Sequence, residues 1–180
     1  YQKMGIFKNK QEADQCKEGL KDKQFFVNRI LKKESRRKPN PPHITSSLQQ
    51  EGFNKLHFSA QKTMVVAQQL YEGITLNGKN IGLITYMLTD SFAVSQKAKD
   101  LAGNFIKKEF GKDYLSKKIY KRKNKKGAQL AHEAIRPTDL RIKPDQISEY
   151  LTKDQAKLYE LIWCRFTASF MAEAVFENKK

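Results

Sequence analysis

Tyr86 carries a phenol and His132 an imidazole, and these are the two side chains of this 180-residue sequence whose chemistry is worth following first. Tyr86 stands at the end of an apolar run, 81–84, and just before Thr89, Asp90 and Ser91, residue types that favour helix starts. A tyrosine delivered there can face a ligand. Its hydroxyl has an unperturbed pKa near ~10, so attack at neutral pH needs a base, a positive field, or both. The ordinary reading of a single tyrosine is a half-buried packing residue. His132 is one of three histidines, with His43 and His57, and a single histidine is more often a structural residue whose ring pairs with backbone carbonyls.

The elements that must position these groups are mostly helical. Asn9 opens a short capped helix, and QFFVNRIL from Gln24 has the Phe, Val and Ile content of a β-strand. Lys32, Lys33, Arg36, Arg37 and Lys38 form a charge run before Pro39, Pro41 and Pro42, read equally as a solvated hinge or a phosphate contact. Ser46 and Gln49 have capping-box spacing for a helix to about Leu56. A second helix enters at Ser59, carries Ala60, Met64, Ala67 and Tyr71 along one face, and stops at Gly73. This pair, followed by a turn over 77–80 and a strand ending at Tyr86, has a helix-turn-helix outline.

After Ser91 or Ser95 a longer helix sets Ala98, Leu101, Ala102, Phe105 and Ile106 on one side, with Lys97, Lys99, Lys107 and Lys108 outside. The stretch 117–127, which includes Tyr120, Lys121 and Arg122, is the most basic of the chain and reads as a solvated loop or a phosphate-gripping wing. Pro137 pushes Arg136 toward extended backbone. Thr152 and Gln155 open a last helix to about Phe176, with Leu158, Leu161, Ile162, Phe166 and Phe170 inward. The fold class expected is mainly α with short β-strands.

Lysine and arginine number 35 against 19 acidic residues, a formal net charge of +16. Such an excess draws polyanions, with nucleic acid ahead of anionic membrane, although a merely soluble lysine-rich surface has the same composition. The 39% hydrophobic content is that of a folded protein. No run approaches the roughly 20 apolar residues of a membrane span. Cys16 and Cys164 lie far apart, outside any metal-binding spacing, so buried or half-buried thiols in a reducing, cytoplasmic setting are expected.

Three stretches resemble one family in the same order. GLITYMLTDS is similar to the active-site segment of the bacterial type IA DNA topoisomerases, PPHITSSLQQEGFNKLHFSAQKTMVVAQQLYEG to the segment before it, and AHEAIRPTDL to the one after; KLYELIWCRFTASFMAEAVFE resembles their returning helix. The resemblance implies a winged-helix-like gate domain over 45–172, arch-domain residues at 1–44, and a return segment at 173–180. It implies that Tyr86 attacks single-stranded DNA to give a 5′-phosphotyrosyl bond, assisted by His132, and that Leu88, Thr89, Asp90, Ser91, Lys121, Arg122 and Arg136 meet or orient DNA, a structural role for Arg136 being equally open. It also implies a monomeric, nucleoid-associated enzyme that relaxes negative supercoils.

Three departures bear on that expectation. Leu88 stands where the family has arginine, and Leu130 where an acidic residue is usual. The family's Mg²⁺ is held by an acidic cluster on a TOPRIM domain, and no DxDxE-like cluster occurs here. This chain alone is therefore expected to bind DNA, to hold no metal and to lack turnover, with the remainder of the enzyme as its partner. The competing expectation is a non-enzymatic winged-helix-like nucleic-acid-binding module.

Overall fold

The computed structural model describes residues 7–76, 78–117 and 132–180, so Lys121, Arg122, Tyr120 and Leu130 lie outside the described residues. The chain divides into two units, residues 1–35 with 177–180, and residues 36–176.

In the first unit Asn9 caps α1 (Lys10–Leu20), its side chain accepting from the Glu12 N–H at 2.9 Å. No residue of α1 is buried, and Cys16 is exposed. The strand expected from Gln24 does not form: Phe25, Phe26 and Val27 are 74, 81 and 80% exposed, and β1 is instead the basic run Lys32–Arg37. A strand exists only where another chain segment completes its ladder. Here the partner is β4 (Ala174–Lys179). Leu31 and Lys180 exchange both backbone hydrogen bonds, the antiparallel pattern, and no described strand faces the residues upstream.

In the second unit α2 (Thr45–Leu56) starts earlier than Ser46 and Gln49 suggest. Ile44 is the N-cap, and the Ser47 hydroxyl accepts from its N–H at 3.0 Å. Ser59 caps α3 (Ala60–Glu72) as expected, through the Lys62 N–H, and the helix ends at Gly73. Its inward stripe is Thr63, Val66, Ala67 and Leu70; Ala60 and Tyr71 are exposed and Met64 half-buried, so only Ala67 of the expected face is fully inside. The stripe includes Thr63, which the apolar count ignores: it is buried with its hydroxyl donating to the Ser59 carbonyl of the preceding turn.

β2 (Ile74–Leu76) and β3 (Lys79–Ile81) form a short antiparallel hairpin. α4 (Gln96–Glu109) begins after Ser95, not Ser91, and buries Ala98, Ala102 and Ile106 while Leu101 stays 57% exposed. α5 (Lys153–Ala168) carries the expected capping box of Thr152 and Gln155. It stops short of the expected Phe176. The Thr167 and Ser169 hydroxyls turn back onto the Trp163 and Phe166 carbonyls, local bonds that compete with a further helical turn. Cys164 on α5 is exposed, where a buried or half-buried thiol was expected.

The main core lies between α2, α3 and α5, with Leu48, Leu70, Leu158, Tyr159 and Ile162 buried against one another. Leu83, Ile84, Met87 and Ile135 join it from segments with no regular secondary structure. Gly52 lets α2 meet α3: a Cβ there would lie 2.7 Å from the Thr63 hydroxyl oxygen. A β-branched, buried neighbour cannot swing away. Overpacking of about 1–3 kcal/mol exceeds the helix-propensity gain of about 1 kcal/mol, so Gly52→Ala should lower the urea midpoint of unfolding.

Beneath α2, His43 is buried with Nδ1 3.2 Å from the Ser47 hydroxyl. Burial first, then the charges of Arg165 and Lys55, carry its pKa from 6.5 down to about 3. Glu51 lies 3.4 Å from Nε2 and pulls the other way. Its charge is already committed to Arg165 at 2.7 Å and Lys55 at 3.5 Å, so burial prevails. The unfolded chain takes up this proton near pH 6.5 and the folded chain only near 3, so stability is lost as pH falls through that window and is unaffected above it. His43→Phe should flatten this limb. Urea midpoints measured from pH 7.5 to about pH 4 should shift progressively in the variant's favour relative to the parent as acid is added.

Candidate active site

The tyrosine reaches its place by docking irregular chain onto helix ends and onto a second irregular segment. β3 stops at Ile81, so the strand expected to end at Tyr86 is replaced by chain held at one isolated bridge, Ile84 to Pro137, whose partner segment is itself bridged from Ile135 to His43. Gly82 passes under the end of α3 so closely that a Cβ would meet the Tyr71 carbonyl oxygen at 2.7 Å. The Leu83 N–H then donates to the Leu70 carbonyl at 2.8 Å, satisfying a carbonyl that the end of α3 leaves open. On the other side the Thr138 N–H donates to the Leu83 carbonyl, and the Thr138 hydroxyl to that of Gly82.

Two threonines complete the docking. The Thr85 N–H donates to the Arg136 carbonyl at 2.9 Å, its hydroxyl donates to the Ala134 carbonyl at 2.8 Å, and the same oxygen accepts from the Arg136 N–H at 3.0 Å. The Thr45 hydroxyl donates to the Met87 carbonyl at 2.7 Å and accepts from the Thr89 N–H at 2.8 Å, while the Thr45 N–H donates to the Thr89 carbonyl.

These contacts bring together the two side chains singled out by their chemistry. The Tyr86 ring lies 5.5 Å from the His132 ring, centre to centre, and 5.4 Å edge-on from Tyr71 of α3. Tyr86 is 38% exposed, held by two ring contacts yet open to solvent. Leu88 is 51% exposed and lines, with Met64, Val65, Met87 and the glutamines 61, 68 and 69, an open recess of about 410 Å³.

The flanking residues divide sharply. Thr89 and Ser91 are buried, and their hydroxyls accept from the N–H groups of Ser91 and Ala93. They shape the loop, and no helix begins on them. Asp90 between them is exposed. The Arg136 guanidinium donates to Glu133 through Nε at 2.9 Å and again through Nη2, and to the Pro137 carbonyl through Nη1. Glu133 also accepts from the Ser95 N–H at the start of α4. Burial raises the Glu133 pKa, but the hydrogen bonds from Ser95 and Arg136 outweigh it and hold the carboxyl below its usual value.

A family model described as DNA topoisomerase matches residues 1–180. The chain belongs to the bacterial type IA DNA topoisomerase family. It is 50% identical over 171 residues to DNA topoisomerase 1 of Rickettsia bellii, covering 94% of this chain and 21% of that protein. Against DNA topoisomerase 1 of Rickettsia felis the identity is 49%, with 94% and 22% covered. The full-length topoisomerase I from Thermotoga maritima superposes with a TM-score of 0.77 at 42% identity over 93% of this chain and 26% of that one. The chain thus spans about a fifth of the length of the curated relatives it matches.

For a topoisomerase chain, the described residues carry the expected mainly α architecture with short strands. None of their helices is long and apolar enough to cross a membrane. They also contain no group of three or more His, Cys, Asp or Glu side chains able to hold a metal ion. Sequence reasoning missed Glu133, Thr45 and Thr85, and took Tyr71 for a core residue. The capping-type residues Thr45 and Thr85 carried no periodic signal, because their partners lie tens of residues away.

Glu133→Gln should destabilise the protein at neutral pH by weakening the tie between α4 and Arg136. Because the Glu133 pKa is depressed on folding, this contribution is present above about pH 4.5 and is lost as pH falls through the folded value. Paired urea unfolding should show a gap between parent and variant at pH 7 that closes toward pH 3.

Proposed function

We propose that Tyr86 is the nucleophile of a DNA strand-cleaving and resealing reaction, and that this chain is the gate-domain portion of an enzyme that relaxes negative supercoils. The observation that carries the proposal is the solvent-open Tyr86 ring set 5.5 Å from His132 within a chain of this family. The Tyr86 oxygen attacks phosphorus, forming a 5′-phosphotyrosyl bond as the bond from phosphorus to the 3′ oxygen breaks. The phenol loses its proton and the departing oxygen gains one, giving a 3′-hydroxyl. One phosphodiester is exchanged for another, so the bond energy is retained and resealing is the same step reversed. In this reading His132 hydrogen-bonds the scissile region or helps move that proton.

The net charge of +16 supports DNA as the partner, and α2 with α3 supports the winged-helix-like reading of the gate. Single-stranded DNA suits the role, because an unpaired strand can lay its phosphate against an exposed loop. Asp90 is the exposed polar group beside the nucleophile, while Thr89, Ser91 and Arg136 act by shaping its loop. One observation favours the competing reading of a non-enzymatic nucleic-acid-binding module: the apolar Leu88 beside the nucleophile, where the family resemblance implies a phosphate-binding arginine.

The deciding experiment mixes the full-length protein with labelled single-stranded DNA and denatures it. A covalent adduct that disappears in Tyr86→Phe is expected; DNA binding without an adduct in the parent would favour the module instead. Leu88 is exposed enough to be replaced by a longer side chain, and Leu88→Arg should speed supercoil relaxation about tenfold, one charge-assisted contact of about 1.5 kcal/mol. Equal relaxation rates would remove Leu88 from the account. DNA affinity should fall linearly on a log–log plot against salt, as displaced counterions require.

A further inference from the structure

On both sides of Tyr86 a threonine hydroxyl ties its segment to another part of the chain. Before it, the Thr85 hydroxyl bridges the Ala134 carbonyl and the Arg136 N–H, on the segment that begins at His132. After it, the Thr45 hydroxyl bridges the Met87 carbonyl and the Thr89 N–H from the first turn of α2. Each oxygen both donates and accepts: the Thr85 oxygen joins two backbone groups, and the Thr45 oxygen, which also lies 3.0 Å from the Thr89 carbonyl, joins Met87 to Thr89. The Tyr86 segment has no regular ladder to hold it, since the strand before it ends at Ile81. What fixes the phenol relative to the imidazole is then these two hydroxyls with the main-chain bonds beside them.

Resting on Tyr86 as nucleophile, we propose that Thr85 and Thr45 are positioning residues that set where the phenol stands relative to His132 and to the scissile phosphate, without touching DNA. Thr85 does so by tying the nucleophile's segment to that of the histidine, and Thr45 by anchoring the loop's far side to α2. The physical basis is the steep dependence of reaction rate on alignment: a displacement of about 1 Å can cost about 100-fold in rate. A valine keeps the shape of threonine and removes both bonds; a serine keeps both bonds and removes only a methyl group.

The test uses the full-length protein and measures, at saturating single-stranded DNA, the rate of covalent adduct formation per folded molecule, alongside the dissociation constant for DNA. Thr85→Val and Thr45→Val should each slow adduct formation about tenfold or more while DNA affinity stays within about twofold, and Thr85→Ser and Thr45→Ser should restore the rate. Thr167→Val is the control: it breaks the same kind of bond, buried hydroxyl to the Trp163 carbonyl, on α5 and outside the contacts that dock the tyrosine's segment, and should leave the rate unchanged. Assays run well below each variant's melting temperature separate folding from alignment. Valine variants that melt lower yet react at the parent rate would overturn the proposal, as would serine variants as slow as valine. A parent adduct that persists in Tyr86→Phe would instead overturn the assignment of the nucleophile, a result distinguishable from the first because it does not depend on either threonine.

Discussion

Irregular backbone entering a protein core must find a partner for every N–H and carbonyl it buries, and that requirement governs the site described here. The segments 43–45, 82–91 and 134–138 contain almost no helix or sheet. They contribute Ile84, Leu83 and Ile135 to the main core all the same. Their polar groups are satisfied by one another, through isolated bridges and through the side chains of Thr45, Thr85 and Thr138. Burial of the apolar side chains drives the docking, and the hydrogen bonds decide its register. One unmade bond in such a cluster leaves a buried group without water or partner, at a cost of about 1–3 kcal/mol.

The helices act as the wall against which that docking occurs. α3 supplies Val66, Ala67 and Leu70 to the core, an open carbonyl to Leu83, and the Tyr71 ring to the flank of Tyr86. α5 reaches the same core with Leu158, Tyr159 and Ile162, and the Tyr159 hydroxyl donates to the Ile142 carbonyl on the chain leading in. Tyr159 shows what a packing tyrosine looks like: fully buried, with its hydroxyl bonded and its pKa pushed up by burial, then by the charge of Asp139. Tyr86 differs from it in exposure and in company. That contrast, within one chain, is what separates a candidate nucleophile from a structural phenol.

Local signals in the sequence were legible where a side chain meets its own helix. Asn9, Ser59 and the Thr152–Gln155 pair each cap the helix their spacing implied. Signals that depend on a partner far along the chain were not. The Phe- and Val-rich stretch after Gln24 has strand-forming side chains but no described neighbour to pair with, whereas the basic run 32–37 faces β4 and becomes a strand in spite of its charge. The last helix lost its final turns to two hydroxyls, and the inward face of α3 takes in Thr63, a polar residue whose hydroxyl is satisfied within its own helix. Tyr86 and His132 were named from their chemistry and from the family resemblance; their approach to 5.5 Å depends on cross-segment bonds no periodicity encodes.

Gly82 carries a consequence for how such a site can change over evolutionary time. The carbonyl of Tyr71 occupies the space where any β-carbon at this position would have to be. Backbone cannot step aside as a side chain can, so a substitution would lift the whole tyrosine-bearing segment off α3, however favourable the new residue's own chemistry. Sequence drift around Tyr86 is thereby channelled: outward-facing positions such as Leu88 are free to vary, while the position four residues before the phenol is closed to every residue but the smallest.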